Sequence, residues 1–105
     1  MIVNVLGEKY KIVEEENLKS EDANGLCEFF TKEIHLRKLV EEKDTFDNLE
    51  AYKKKVLRHE IIHAFLFESG LASNSYWADN EEIVDWIAIQ FPKLSQAFKD
   101  ADCGE

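Results

Sequence analysis

The stretch Arg58-His59-Glu60-Ile61-Ile62-His63-Ala64-Phe65 decides how this chain is read. It holds His-Glu-x-x-His, two imidazoles four positions apart with a carboxylate directly after the first. On a helix, residues i and i+4 share one face with Cβ atoms about 6 Å apart. Their ring nitrogens can then converge on one zinc ion at about 2.0–2.1 Å each. A zinc in such a site keeps a position for water and makes that water acidic. Glu60 falls beside the water, where it can take up a proton and later pass it to a leaving group. The flanking Val56, Leu57, Ile61, Ile62, Ala64, Phe65, Leu66 and Phe67 are apolar on nearly every side of the motif, which predicts a helix buried all round. The bland alternative is a helix with two incidental histidines. It would bury His59, Glu60 and His63 unpaired, at a cost on the order of several kcal/mol.

Outward from the motif, Leu49, Tyr52, Val56, His59, His63 and Phe67 recur at spacings of three and four. This predicts one long amphipathic helix, capped by Asp44-Thr45 or Asp47. Gly70 is its natural C′ residue, and Lys53-Lys54-Lys55 reads as its solvated side. Upstream, Ile2 to Leu6 and Lys9 to Val13 form a hairpin around Gly7-Glu8. A polar connection follows and ends at an Asn24-Gly25 turn. Leu26–Phe30 and Glu33–Leu36 make a second hairpin turning near Thr31-Lys32. In its second strand Ile34 and Leu36 face one way, and Glu33, His35 and Arg37 the other. His35 is therefore expected as a solvated strand residue away from the site. Leu39 to Lys43 reads as a charged connector. Downstream, Leu71 to Trp77 reads as a loop. A second helix then runs from Glu81 to Phe91 and is stopped by Pro92, which opens a last short helix with Leu94, Ala97, Phe98 and Ala101 inward. Strands first and helices after is an α+β order. The expectation is a single domain over residues 1–105, with a small antiparallel sheet of short hairpins packed on the active-site helix and a second ligand-bearing helix.

The 105 residues suffice for one small core, and 45% hydrophobic with 11% aromatic residues is a globular composition. A net charge of −9 argues against nucleic acid as partner, since phosphate binding needs a basic patch. Met1 to Lys9 has neither a basic n-region nor an apolar run of signal-peptide length, and no stretch approaches a membrane span. Cys27 and Cys103, the only cysteines, lack a metal-pair spacing. They read as free thiols in a reducing cytoplasm.

A catalytic zinc site takes three protein ligands and a water, so a third ligand is sought beyond the two histidines. Glu81, Glu82 and Asp85 are the downstream acids. Val84, Ile87, Ala88 and Phe91 form the inner stripe of their helix, and Glu81 lies on it while Glu82 lies off it. Glu82 also completes a capping-box-like pair with Asp79. Asp85, one turn after Glu81, is better placed to accept a hydrogen bond from the far nitrogen of a ligating histidine. The competing explanation is that all three acids favour the helix N-terminus through its dipole.

His59-Glu60-x-x-His63, followed by Asn80-Glu81-x-x-x-Asp85, resembles the gluzincin pattern of thermolysin-like metallopeptidases. Its small size and the strand pair from Gly25 to Leu36 look like the minimal gluzincins, the ImmA/IrrE-type peptidases and their phage and mobile-element relatives. The resemblance covers roughly residues 24–92. It implies Zn²⁺ on His59, His63 and Glu81, with Asp85 orienting His59 and Glu60 as general base in hydrolysis of a peptide or protein substrate, a repressor among the options. It also implies an edge strand lining the cleft, for which Glu33 to Arg37 is the candidate, and an oxyanion donor at Tyr76 or Trp77. The opposing expectation, from another class, is a small phage-type regulatory or binding module with a structural or vestigial metal. A closed structural site needs four protein ligands, and Asp85 or Cys103 would supply the fourth. A lapsed peptidase, keeping fold and metal without a usable cleft, is a third reading.

Overall fold

Leu6 and Gly7 both take positive φ, 50° and 91°, as a two-residue hairpin turn between right-twisted strands requires. They close β1 (Ile2–Val5) onto β2 (Glu8–Glu15), and Gly7 N–H donates to Asn4 Oδ1 at 2.9 Å. A computed structural model describes residues 1–19, 23–39 and 48–105. Its further elements are β3 (Gly25–Glu28), β4 (Glu33–Arg37), α1 (Leu49–Glu68), α2 (Leu71–Asn74), a 3₁₀ turn (Tyr76–Asp79) and α3 (Glu81–Asp100). The fold is α+β.

The sheet is mixed, not antiparallel throughout. Its order is β1-β2-β4-β3, with β2 and β4 parallel and the outer pairs antiparallel. This corrects the expectation of a sheet of hairpins alone. The register Ile12↔Ile34 puts both isoleucines on the inner face, in one core with Val5, Tyr10 and Ala64 of α1. β2 runs on through Glu14 and Glu15 because they pair with Leu36 and Arg37. Two consequences follow for the site. β4 is interior, so Glu33 to Arg37 is not an edge; β3 is. And strand alternation places Gly25 and Cys27, opposite Leu36 and Ile34, on the face toward α1.

His35 points to the outer face. It is not solvated as expected: its side chain is 17% exposed, in contact with Glu15 and near Glu28 and Glu33, and Nε2 is buried with no hydrogen-bond partner among the described residues.

α1 is capped by Asn48, whose Oδ1 accepts from Ala51 N–H at 3.1 Å. Asp44, Thr45 and Asp47 lie outside the described residues, as does most of the Leu39–Lys43 connector. Gly70, φ 86°, follows the last turn. Fully buried Tyr10 donates from its hydroxyl to Glu68 Oε1 at 2.7 Å, and Lys32 Nζ pairs with the same carboxylate. Sheet and helix end are thereby tied together.

The segment expected as loop carries α2 and the 3₁₀ turn, and its Ala72 and Ala78 pack with Ile62, Leu66 and Val84 in a second small core that seats α3 on α1. α3 does not stop at Pro92. Proline has no N–H to give the carbonyl four residues back, which here is Ala88. Arg58 of α1 donates Nε to that oxygen at 2.6 Å. The bond that proline removes is replaced across the helix pair, and the expected short final helix is the second half of α3. Among the described residues no helix is long and apolar enough to cross a membrane.

Candidate metal centre

Asn80 is the N-cap of α3, its Oδ1 accepting from Ile83 N–H at 2.9 Å. Asp79 is not the cap, so the Asp79–Glu82 capping pair inferred from spacing does not form. With the cap at Asn80, Glu81 is the first helical residue and its carboxylate reaches across to α1. Glu81 Oε2 lies 2.9 Å from His59 Nε2, Glu81 Oε1 lies 2.8 Å from His63 Nε2, and the two Nε2 atoms are 3.1 Å apart. One turn further along α3, Asp85 Oδ1 lies 2.9 Å from His59 Nδ1. Glu82 is exposed and does not join this group.

These distances pose a charge problem. The Asp85 carboxyl is held below its ordinary value: burial pushes it up, but the hydrogen bonds from His59 and Lys55 outweigh that. An ionised Asp85 can only accept, so His59 Nδ1 carries a proton, and in the neutral ring Nε2 is then a bare lone pair. That lone pair faces a second imidazole nitrogen and a carboxylate. Three electron-rich atoms so close require a proton or a cation among them. Zinc bonds of about 2.0–2.1 Å at tetrahedral angles put ligand atoms about 3.3 Å apart, a few tenths of an ångström wider than seen here. The donor set of two imidazoles and one carboxylate fits that ion.

Glu60 sits beside the group, 8% exposed, with no hydrogen bond or ion pair to any described residue. Burial pushes its carboxyl up to about 7, opposed by His59 and reinforced by the charge of Glu81. Burial likewise lowers His63, with Glu81 acting against it and His59 with it. A neutral ring is what a metal ligand must be.

A cleft of about 390 Å³ opens on one side, walled by Leu26, Cys27 and Phe29 of the β3 region and by His63 and Asp79. A shallower space of about 200 Å³ opens on the other, beside Asn24, Tyr52, Lys55 and Asp85. Gly25, Glu60 and Glu81 line both. Burial, with Glu60 and other acids nearby, pushes the Cys27 thiol up to about 12 and so favours its neutral form. Tyr76 is fully exposed and lines a neighbouring depression with Ala72 to Ser75 and with Asp79, which also walls the cleft. Neither Tyr76 nor Trp77 is among the residues walling the cleft. Cys103 is exposed beyond the far end of α3, about 30 Å from Glu81 at 1.5 Å per residue.

No family model, curated protein or solved structure matches the chain.

Three residues near the site escaped the sequence reading. Lys55, taken for a solvated charge, reaches Asp85 Oδ1 at 3.1 Å. Its position four residues before His59, on the same helical face, was the available signal. Asp79 had been assigned to a cap, and Gly25 to a turn. The pairing that brings Gly25 to the helix is long-range and leaves no local mark.

Proposed function

We propose that this chain is a zinc-dependent peptidase of the minimal gluzincin type, with a zincin-like arrangement of sheet and helices. The observation that carries the reading is the convergence of His59, His63 and Glu81, from two helices, with Asp85 behind His59 and a buried Glu60, without a hydrogen bond to any described residue, alongside. His59, His63 and Glu81 are the residues that would hold Zn²⁺. When bound, the ion supplies an acidic water and a Lewis acid for the carbonyl oxygen. Glu60 holds and moves the proton: it accepts one from the attacking water and returns it to the departing amine. In the metal-free fold burial holds this carboxyl up at about 7; a cation alongside would draw it down toward the charged form that accepts the water's proton. Asp85 fixes the tautomer and ring angle of His59, and Lys55 steadies Asp85.

The substrate is an extended peptide or protein segment, a repressor among the options. β3 offers a free edge beside the cleft, to which such a segment can add as a strand. Resemblance to ImmA/IrrE-type peptidases rests on the motif and on these placements. Neither residue expected as the fourth ligand of a structural metal joins the group: Asp85 is engaged with His59 Nδ1, and Cys103 lies beyond the far end of α3.

The test is metal analysis of purified protein together with hydrolysis of a quenched fluorescent casein. One zinc per chain is expected in the wild type and lost in His63→Ala. Glu60→Gln should retain zinc and lose hydrolysis. Full activity of Glu60→Gln, or zinc retained by His63→Ala, would overturn the proposal.

A further inference from the structure

The geometry points to Gly25 as a positioning residue for Glu60: the missing side chain at 25 is the seat in which the Glu60 carboxylate rests. The catalytic half of this inference rests on the peptidase reading; the steric half does not.

The steric half starts from the backbone. Gly25 is an ordinary strand residue in β3, outside the positive-φ glycines. Its conformation would admit any residue, so glycine is required here only by space. Strand alternation turns position 25 toward α1, and a Cβ built there would lie 2.9 Å from Glu60 Cγ, 2.9 Å from Glu60 Oε2 and 2.9 Å from Val56 Cγ1. All three contacts are closer than a real Cβ tolerates. Val56 is buried, and a β-branched side chain in a helix has one strongly preferred rotamer. Glu60 has more rotatable bonds and no hydrogen bond or ion pair to a described residue to hold its carboxylate. Asp85 and Glu68, by contrast, are held by named donors. Among the described residues, packing rather than a hydrogen bond fixes where the Glu60 carboxylate rests. A methyl at 25 therefore displaces the carboxylate first, and His59, His63 and Glu81, none of which is among its three nearest contacts, keep their places.

Two measurements test this. In metal-free protein, the drop in urea midpoint caused by Gly25→Ala is compared between wild-type and Glu60→Ala backgrounds, a double-mutant cycle. The drop should be smaller where Glu60 is truncated; equal drops overturn the seat, whatever the protein hydrolyses. If Gly25→Ala alone does not fold, recovery of a folded protein by adding Glu60→Ala supports the seat, and no recovery overturns it. In zinc-loaded protein, Gly25→Ala should keep one zinc per chain and a KM within about twofold, while kcat on the casein probe falls at least tenfold. Adding Val56→Ala should return part of kcat by giving the methyl room. An unchanged kcat, or loss of zinc, overturns the positioning role. A wild type that hydrolyses nothing, with the midpoint coupling intact, takes down the peptidase reading and leaves the seat standing.

Discussion

Replacing Glu60 with glutamine should make the metal-free protein gain stability relative to the wild type as the pH rises. The carboxyl has an ordinary value of 4.5 and stands at about 7 in the fold, chiefly because burial penalises its charged form. A raised carboxyl means the native state binds more protons than the unfolded state between those values, so stability falls as pH rises through that window. At about 1.36 kcal/mol per pH unit, the whole window amounts to about 3 kcal/mol, and about 2.5 kcal/mol of it falls between pH 5 and 8. Glutamine has no proton to lose, so Glu60→Gln escapes this term. It keeps a pH-independent cost of burying an amide, and that cost cancels when only the change with pH is compared. The assay is urea unfolding of chelator-treated wild type and Glu60→Gln at half-unit steps from pH 5 to 8. The wild type should lose about 2.5 kcal/mol relative to the variant over that range, most of it before pH 7. Zinc in the site should shrink the difference, because a nearby cation favours the charged carboxylate. Parallel stability curves for the metal-free proteins would refute the reasoning, since they would mean that Glu60 ionises as freely in the fold as in the chain.

Two further outcomes test the frame that holds the site. Glu81→Ala should lose zinc in equilibrium dialysis, whereas Glu82→Ala, exposed and off the cluster, should bind it as the wild type does; the reverse pattern would reassign the third ligand. Arg58→Met should cost about 1–3 kcal/mol in thermal or urea unfolding, the penalty for a buried carbonyl without a donor. Pro92→Ala should recover much of that loss by returning an N–H to Ala88, and additive costs would show that the Arg58–Ala88 bond does not substitute for the proline.

What could be read from the sequence was local. The face that carries His59 and His63, and the inner stripe holding Glu81, follow from periodicities within one element; the first hairpin was legible too, though its turn is Leu6-Gly7, one residue before the expected Gly7-Glu8. What could not be read depended on two elements meeting. The parallel pairing of β2 with β4 joins strands whose own alternation fits an antiparallel neighbour equally well, so nothing local sets β4 inside the sheet, against the edge position that the resemblance implies. Pro92 carries a strong local stop signal, and its cancellation comes from Arg58, thirty-four positions earlier in the chain. Lys55 looked like one of three equivalent lysines until α3 brought Asp85 beside it.

The same division explains why the site and the docking of α3 are hard to separate. Two of the proposed ligands come from α1 and the third from α3, so the position of Glu81 is only as good as the helix pairing. That pairing is made by Lys55 with Asp85, Arg58 with Ala88, and Ile62 and Leu66 with Val84 and Ala78. On α1 these residues recur at spacings of three and four, along the face that also presents His59 and His63. A change meant to loosen the helix pair will therefore also move a ligand. Arg58→Met is the cleaner probe, because its bond reaches Ala88, nearly two turns beyond Glu81. If that variant loses stability and still binds zinc with wild-type affinity, the small core around Val84 is enough to place Glu81. If affinity falls with stability, the long helix with its bridged proline is part of what builds the site.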